Sequence, residues 1–191
     1  MDCFSSDEKF NQLYPKEISA LASRHWTPLS VAKEAAAFLA VGSNTRILDI
    51  GSGVGKFCLI GAKLYPNTVF AGIEQRKSLT QIAQSVALEL SLSNTEFLTG
   101  NFTEINFAQY QHFYFYNAFY ENLIDNDAID QNVVQSQELF NLYTRKLYKQ
   151  LKQLPAGTRI ATFHSSENEM PSTYQVVGIG SNEDLKFWIK L

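Results

Sequence analysis

Three glycines stand at alternate positions behind a short apolar run, in the segment RILDIGSGVGK of residues 46–56. A glycine-rich turn after a strand lets the backbone approach a ligand closely, as in dinucleotide-binding proteins. In the dinucleotide fingerprint, however, the third glycine follows the second by three positions. Here Gly51, Gly53 and Gly55 are spaced by two, and Lys56 stands where that motif needs a small residue. The spacing therefore disfavours a nicotinamide or flavin cofactor.

A carboxylate precedes the first glycine by two positions. Asp49 lies near the end of the apolar run, where it can face the cationic amino group of a methionine moiety. This arrangement suits the zwitterionic sulfonium ligand S-adenosylmethionine better than it suits a pyrophosphate. We therefore assign Asp49, Gly51, Ser52, Gly53 and Gly55 to the binding of S-adenosylmethionine.

Further candidate cofactor-binding residues lie at the ends of the next two apolar runs of the sequence. Glu74 comes about 20 residues after the glycine turn, where a carboxylate can bind ribose hydroxyls in either class of cofactor. Gln75 follows it and is assigned to the same site. Asn101 offers an amide for the adenine amine, and Phe102 offers a ring for the adenine face. A plain turn-forming role is an equal alternative for Asn101.

Short apolar runs alternate with segments of helical periodicity from about residue 46 onward, which indicates an α/β fold with a parallel, doubly wound sheet. The predicted strands are 46–50, 68–74, 95–100, 112–117, 158–164, 174–180 and 185–191. Only four residues, 181–184, separate the last two strands, so these form an antiparallel hairpin. The predicted helices are 5–23, 29–41, 55–65, 78–92 and 133–154, and Pro28 stands near the start of the second.

The overall composition limits the classes of partner that we expect for this protein. The chain has 191 residues, a net charge of −3 and a pI of about 5.6, so it lacks an overall positive field for nucleic acid. Neither its two cysteines, Cys3 and Cys58, nor its three histidines show zinc-ligand spacing, so we expect no metal. The first residues do not resemble a signal peptide, and no run reaches ~18 apolar residues. We expect a cytoplasmic protein without a membrane partner.

The motifs together resemble the class I, seven-strand S-adenosylmethionine-dependent methyltransferases. The resemblance rests on LDIGSGVG, FAGIE, TGNF and FYNAFY in successive strands and on the closing hairpin. The sequence departs from many members by Asn101 in place of Asp and by a short stretch after the fifth strand. The resemblance implies a doubly wound, mostly parallel seven-strand sheet that ends in an antiparallel hairpin. It divides the chain into an N-terminal helical cap, 1–41, and a Rossmann-like methyltransferase domain, 42–191.

Two subfamilies share some of these motifs. LDIGSGVG with GIE and F-x-N-x-F is similar to the non-SET histone-lysine methyltransferases. Thr27-Pro28-x-x-Val31 and the segment NAFY, 117–120, resemble the T-P-x-x-V and N-P-P-Y elements of adenine-amino methyltransferases, with both N-P-P-Y prolines replaced. Both groups act on nitrogen, which implies an amine acceptor.

The resemblance also implies roles at the acceptor. Asn117 would orient the amine, because its carbonyl can accept a hydrogen bond from the nitrogen. Phe119 and Tyr120 would wall the acceptor slot, with core packing as the alternative. Thr27 would cover the cofactor, with a plain helix start as the alternative. We expect an S-adenosylmethionine-dependent methyltransferase whose acceptor is a protein side chain, a nucleobase or a small molecule. The alternatives are a non-catalytic binder of this cofactor and, less favoured, a nicotinamide oxidoreductase.

Overall fold

The sheet has seven strands in the order β3-β2-β1-β4-β5-β7-β6. The computed structural model describes residues 2–116, 119, 136–165 and 169–191. The strands are β1 (Arg46–Ile50), β2 (Val69–Glu74), β3 (Thr95–Thr99), β4 (His112–Tyr116), β5 (Arg159–Phe163), β6 (Tyr174–Ile179) and β7 (Leu185–Lys190). Each lies within a predicted strand, and the predicted fold class is confirmed.

Strands β1 to β5 are parallel to one another, and β7 is antiparallel to both of its neighbours, β5 and β6. The predicted terminal hairpin is therefore present, and it places β6 at the edge of the sheet. Because parallel strands all end on the same side, the carboxyl ends of β1, β2, β4 and β5 form one edge, where α/β folds bind their ligands.

Seven helices accompany the sheet in the described part of the chain. They are α1 (Asp7–Asn11), α2 (Lys16–Ser19), α3 (Ala22–His25), α4 (Leu29–Leu39), α5 (Lys56–Leu64), α6 (Lys77–Glu89) and α7 (Gln137–Gln153). Short 3-10 turns lie at Cys3–Ser5, Phe102–Glu104 and Phe107–Gln109. Among the helices of the described residues, none is long and apolar enough to cross a membrane.

The helices pack on both faces of the sheet, and the alternation of side chains along each strand sets which residues meet them. On β1, Ile47 joins the core formed with α4, α5 and α6. Leu48 and Ile50 join the core formed with α7 on the other face. On α7 the inward stripe includes Tyr143 and Leu147. Four basic residues of α7 are exposed, namely Arg145, Lys146, Lys149 and Lys152.

The N-terminal segment corrects one prediction. A single helix over 5–23 is wrong, because the segment consists of the short helices α1, α2 and α3. Ser6 caps α1 by accepting a hydrogen bond from the Lys9 amide. Pro15 has no amide hydrogen and disfavours a helical conformation in the residue before it, so it separates α1 from α2, which begins immediately after it. The second predicted helix is present as α4 and begins directly after Pro28.

The same N-terminal segment is tied to the glycine turn. The hydroxyl of Tyr14 donates a hydrogen bond to the carbonyl of Val54 over 3.2 Å. The Asp7 carboxylate accepts hydrogen bonds from the Leu29 amide and from the buried Lys56 ammonium. Asp7 thus joins the first residues of α4 and α5, and the cap packs against the edge where the glycine turn lies.

Candidate functional site

The glycine turn connects β1 to α5, and its three glycines adopt conformations that other residues rarely take. The φ angles of Gly51, Gly53 and Gly55 are 78°, 51° and 78°. A Cβ atom on Gly55 would lie 2.5 Å from the ring of Phe97. Both backbone angle and available space therefore require glycine at residue 55, and the turn brings α5 close to the sheet.

The backbone of the turn is held against the end of β2. The amides of Gly51 and Ser52 both donate to the carbonyl of Ile73, over 3.0 and 3.1 Å. The amide of Gly53 donates to Oε2 of Glu74 over 3.1 Å. The predicted ribose-binding carboxylate thus also shapes the glycine turn, which the sequence alone did not reveal.

Glu74 ends β2 in a buried position. Its Oε1 accepts a hydrogen bond from the Arg76 amide over 2.8 Å, and the Arg76 guanidinium lies 3.6 Å away. A carboxylate offers about four lone-pair sites and can accept several hydrogen bonds at once. Gln75 is exposed beside it. Glu74 and Gln75 lie at the carboxyl end of β2, and their role in binding stays a prediction.

Asp49 carries a strongly perturbed carboxyl group. It pairs in register with Tyr114 of β4, and only 4% of its surface is exposed. Burial raises the pKa of its carboxyl to about 8, while a hydrogen bond from the Cys58 thiol opposes the rise and the charge of Glu74 adds to it. A buried carboxyl in this condition is stabilised in its ionised form by a cation placed against it.

A pocket of about 360 Å³, including space open to solvent, lies between the glycine turn, the start of α4 and the end of β4. Five predicted cofactor residues line it: Thr27, Asp49, Gly51, Ser52 and Gly53. Sequence reasoning did not assign the other lining residues, which are His25, Trp26, Val54, Lys56, Phe57, Tyr114 and Tyr116. The signal for the two tyrosines was available, since alternate residues of β4 share one face with Asp49.

Thr27 lies in the wall of this pocket as well as before a helix. Its hydroxyl is 2.9 Å from the hydroxyl of Tyr114. The Tyr114 ring in turn stacks on Phe57, with ring centroids 4.0 Å apart. Thr27 therefore links the start of α4 to β4, beside Asp49. The same residue both precedes a helix and lines the pocket.

Asn101 and Phe102 follow β3. Oδ1 of Asn101 accepts from the Thr103 amide over 3.0 Å, and its Nδ2 donates to the Tyr143 hydroxyl over 2.6 Å. The turn-forming role considered for Asn101 is thus present. The Phe102 ring is buried and stacks on Phe119, with centroids 4.9 Å apart.

The three predicted acceptor residues are only partly described. Asn117 and Tyr120 lie outside the described residues. Phe119 is 5% exposed and contacts Phe102, Phe115 and Tyr143 on the α7 side of the sheet. These contacts are those of a packing residue, and they place Phe119 apart from the residues that line the pocket.

The histidines occupy three different environments. Nδ1 of His112 accepts a hydrogen bond from the Arg159 amide over 3.0 Å, and burial lowers its pKa to about 4, so this residue is neutral and structural. His25 lines the pocket. His164 pairs with Asp184 over 3.1 Å. No cluster of three or more metal-ligating side chains occurs within residues 2–116, 119, 136–165 and 169–191.

Comparison with solved structures supports the same architecture. An RNA methyltransferase from Salinibacter ruber in complex with S-adenosyl-L-homocysteine has a TM-score of 0.59 and 19% identity, covering 86% of this chain and 92% of that one. TrmN from Thermus thermophilus has a TM-score of 0.62 and 16% identity, covering 91% of this chain and 52% of that one. At these identities the likeness concerns the fold.

A curated relative is similar over a short segment. A tRNA (guanine-N(7)-)-methyltransferase from Pediococcus pentosaceus is 38% identical over 58 residues. The match spans 30% of this chain and about a quarter (27%) of the relative's length. A family model described as a methyltransferase domain matches residues 42–179, which is most of the chain. The predicted family is therefore confirmed, and the chain belongs to the methyltransferase domain family, whose methyl donor is S-adenosylmethionine.

Proposed function

We propose that this protein transfers the methyl group of S-adenosylmethionine to an amine nitrogen of its acceptor. The observation that carries the proposal is the position of the buried Asp49 carboxyl, which lines one pocket together with a positive-φ glycine turn. A carboxyl there matches the amino group of the cofactor's methionine moiety. The close backbone of Gly51 and Gly53 leaves space for the ligand beside it.

The other residues that we propose to contact the cofactor lie at or just after the carboxyl ends of β2 and β3. Glu74 would bind the ribose hydroxyls, and Gln75 lies exposed beside it. Asn101 would bind the adenine amine while keeping its bond to Tyr143, and Phe102 would lie near the adenine face. S-adenosylmethionine supplies a methyl group on a cationic sulfur, so the protein's main tasks are to orient the acceptor and exclude water.

The N-terminal residues 1–41 form the cap of this site in our proposal. His25, Trp26 and Thr27 supply one wall of the pocket; His25 ends α3, and the other two come between α3 and α4. The contacts from Asp7 to α4 and α5 hold that wall against the glycine turn. The cap would shield the methionine end of the cofactor from water.

A nitrogen acceptor is supported by the sequence at the end of β4. Asn117 directly follows Tyr116, which is the last residue of β4 and lines the pocket. An asparagine carbonyl can accept a hydrogen bond from an amine and so fix the direction of its lone pair. Tyr120 would add an aromatic wall for a flat base or a cationic side chain. The contacts of Phe119 favour packing over a direct part in the slot.

The test uses methyl-labelled S-adenosylmethionine and an extract of the source cell in which the gene has been deleted. The labelled product is divided by protease, nuclease and size separation, and the methylated atom is identified by mass spectrometry. Label on nitrogen supports the proposal, and its fraction shows whether the acceptor is a protein, a nucleic acid or a small molecule. Label on oxygen, carbon or sulfur contradicts the nitrogen acceptor. Cofactor binding without any transfer favours the non-catalytic alternative.

A further inference from the structure

A histidine and a carboxylate are paired where β5 ends and β7 begins. His164 follows the last residue of β5, and Asp184 precedes the first residue of β7. Nδ1 of His164 lies 3.1 Å from Oδ2 of Asp184. The His164 amide also donates a hydrogen bond to the Asp184 carbonyl over 3.2 Å. Side chain and backbone thus fix the imidazole in one orientation.

The backbone of His164 adopts an unusual conformation. Its φ angle is 53°, in the left-handed region that residues with a Cβ seldom occupy. Such a conformation persists where surrounding contacts impose it, and it is found disproportionately at functional sites. Here the side-chain and backbone contacts with Asp184 help to hold this conformation.

The imidazole lies close to the pocket that contains Asp49. The His164 ring centroid is 5.8 Å from the ring of Tyr116 and 4.2 Å from that of Phe163. Tyr116 itself lines the pocket. Because β4 and β5 are adjacent parallel strands, both residues stand at the edge where ligands bind in α/β folds. The His164 side chain is 44% exposed, so an acceptor entering beside Tyr116 can reach it.

We propose that His164 is the group that accepts the proton from an amine acceptor before methyl transfer, and that Asp184 is its positioning residue. The inference rests on the nitrogen acceptor proposed above. An ammonium group has no lone pair, so it must lose a proton before it can attack a methyl carbon. An Nδ1–H that donates to Asp184 leaves Nε2 as the basic nitrogen of the ring.

The step balances in atoms and charge. The N–H bond of the ammonium breaks, its electron pair stays on nitrogen, and the proton binds Nε2 of His164. The nitrogen pair then forms a bond to the methyl carbon, and the carbon–sulfur pair passes to sulfur. The products are a methylated ammonium, neutral S-adenosylhomocysteine and an imidazolium, which returns its proton to water.

Neighbouring titratable groups favour the imidazole for this role. Asp184 and Tyr116 are titratable side chains that contact it. Burial raises the pKa of Tyr116, so its phenol keeps its proton at neutral pH and is a poor base.

The first test compares wild-type protein with His164→Gly in the transfer assay with the gene-deleted extract. Glycine suits a φ of 53° and removes the ring, so free imidazole can take its place. We expect a loss of about 10²–10⁴-fold at pH 7, unchanged S-adenosylmethionine binding, and partial recovery with added imidazole. Transfer at the wild-type rate, or a loss that imidazole does not relieve, would overturn the proposal.

Arg46→Gln is the matched control. It removes an exposed ion pair with Glu96 at the opposite edge of the sheet, with side chains 34% and 44% exposed, and we expect no effect on transfer. The two proposals fail differently. Label on an atom other than nitrogen removes the proposed function. Label on nitrogen at an unchanged rate in His164→Gly removes only the role of His164.

A second readout needs no acceptor. In ¹⁵N-histidine NMR of the wild-type protein at alkaline pH, we expect His164 to carry its proton on Nδ1. Asp184→Asn should raise the population with the proton on Nε2, since the carboxylate partner is lost. A wild-type ring that already carries its proton on Nε2 would overturn the proposed orientation.

Discussion

Asp49 should make cofactor affinity depend on pH. Its carboxyl has a pKa of about 8 because it is buried, whereas the amino group of S-adenosylmethionine is best bound by an ionised carboxylate. Binding must therefore displace the proton of Asp49. Because the cation lowers the pKa of Asp49, raising the pH favours the complex below pH 8.

The size of the effect follows from that pKa. With a value of about 8, only ~1% of Asp49 is ionised at pH 6 and ~10% at pH 7. The dissociation constant should fall by about tenfold between these pH values, which corresponds to about 1.4 kcal/mol. Near pH 8 the gain should end, because the amino group of the ligand begins to lose its own proton.

Isothermal titration calorimetry in buffers of different ionisation enthalpy measures both affinity and proton release. We expect a net release of about 0.8 proton per ligand at pH 7 for the wild-type protein, because Asp49 loses ~0.9 proton and the amino group of the ligand takes up ~0.1. Asp49→Asn should bind more weakly at pH 7.5 and release almost none, whereas Glu96→Gln should match the wild type. An affinity that is flat from pH 6 to 7.5, or proton release that survives in Asp49→Asn, would refute the assignment.

Four further outcomes are expected. The pKa of Asp49 in the folded protein lies above its ordinary value, so the stability that its bound proton contributes is lost as the pH rises through about 8. The thermal midpoint of the protein without cofactor should therefore fall from pH 5 to 8, and it should fall less in Asp49→Asn. Gly55→Ala should lower the free energy of unfolding in urea by about 1–3 kcal/mol, because its φ is 78° and its Cβ would meet Phe97; wild-type stability would contradict this. Glu74→Ala should weaken S-adenosylmethionine binding by ~10–100-fold in calorimetry, and unchanged affinity would remove its role. Asn117→Ala should keep that affinity and reduce labelled transfer by about two orders of magnitude, whereas lost binding would contradict its acceptor role.

The sheet could be predicted because its buried parallel strands are short apolar runs that end at turn signals. The glycine spacing and Asp49 were equally local, since both belong to a single strand-to-turn segment. The position of Thr27 beside Tyr114 joins residues far apart in the chain, so only the fold brings them together. The same holds for Asp7, which reaches α4 and α5 from the N-terminal segment.

Other features were not predictable because local signals in the sequence favour competing structures. The segment 5–23 has helical composition, but α1 begins only after the cap at Ser6, and Pro15 separates α1 from α2. An aromatic residue such as Phe119 fits either a core or a ligand wall by type, and its contacts with Phe102 and Tyr143 were not readable from the sequence. Pairing of His164 with Asp184 likewise required the register of β5 against β7.

A crystal structure with S-adenosyl-L-homocysteine would test the central claim most directly. The account predicts the amino group of the ligand within hydrogen-bond distance of Asp49 and the ribose hydroxyls on Glu74. It also predicts the sulfur directed toward the end of β4, beside Tyr116. A ligand bound away from the glycine turn, or one that leaves Asp49 without a contact, would contradict it.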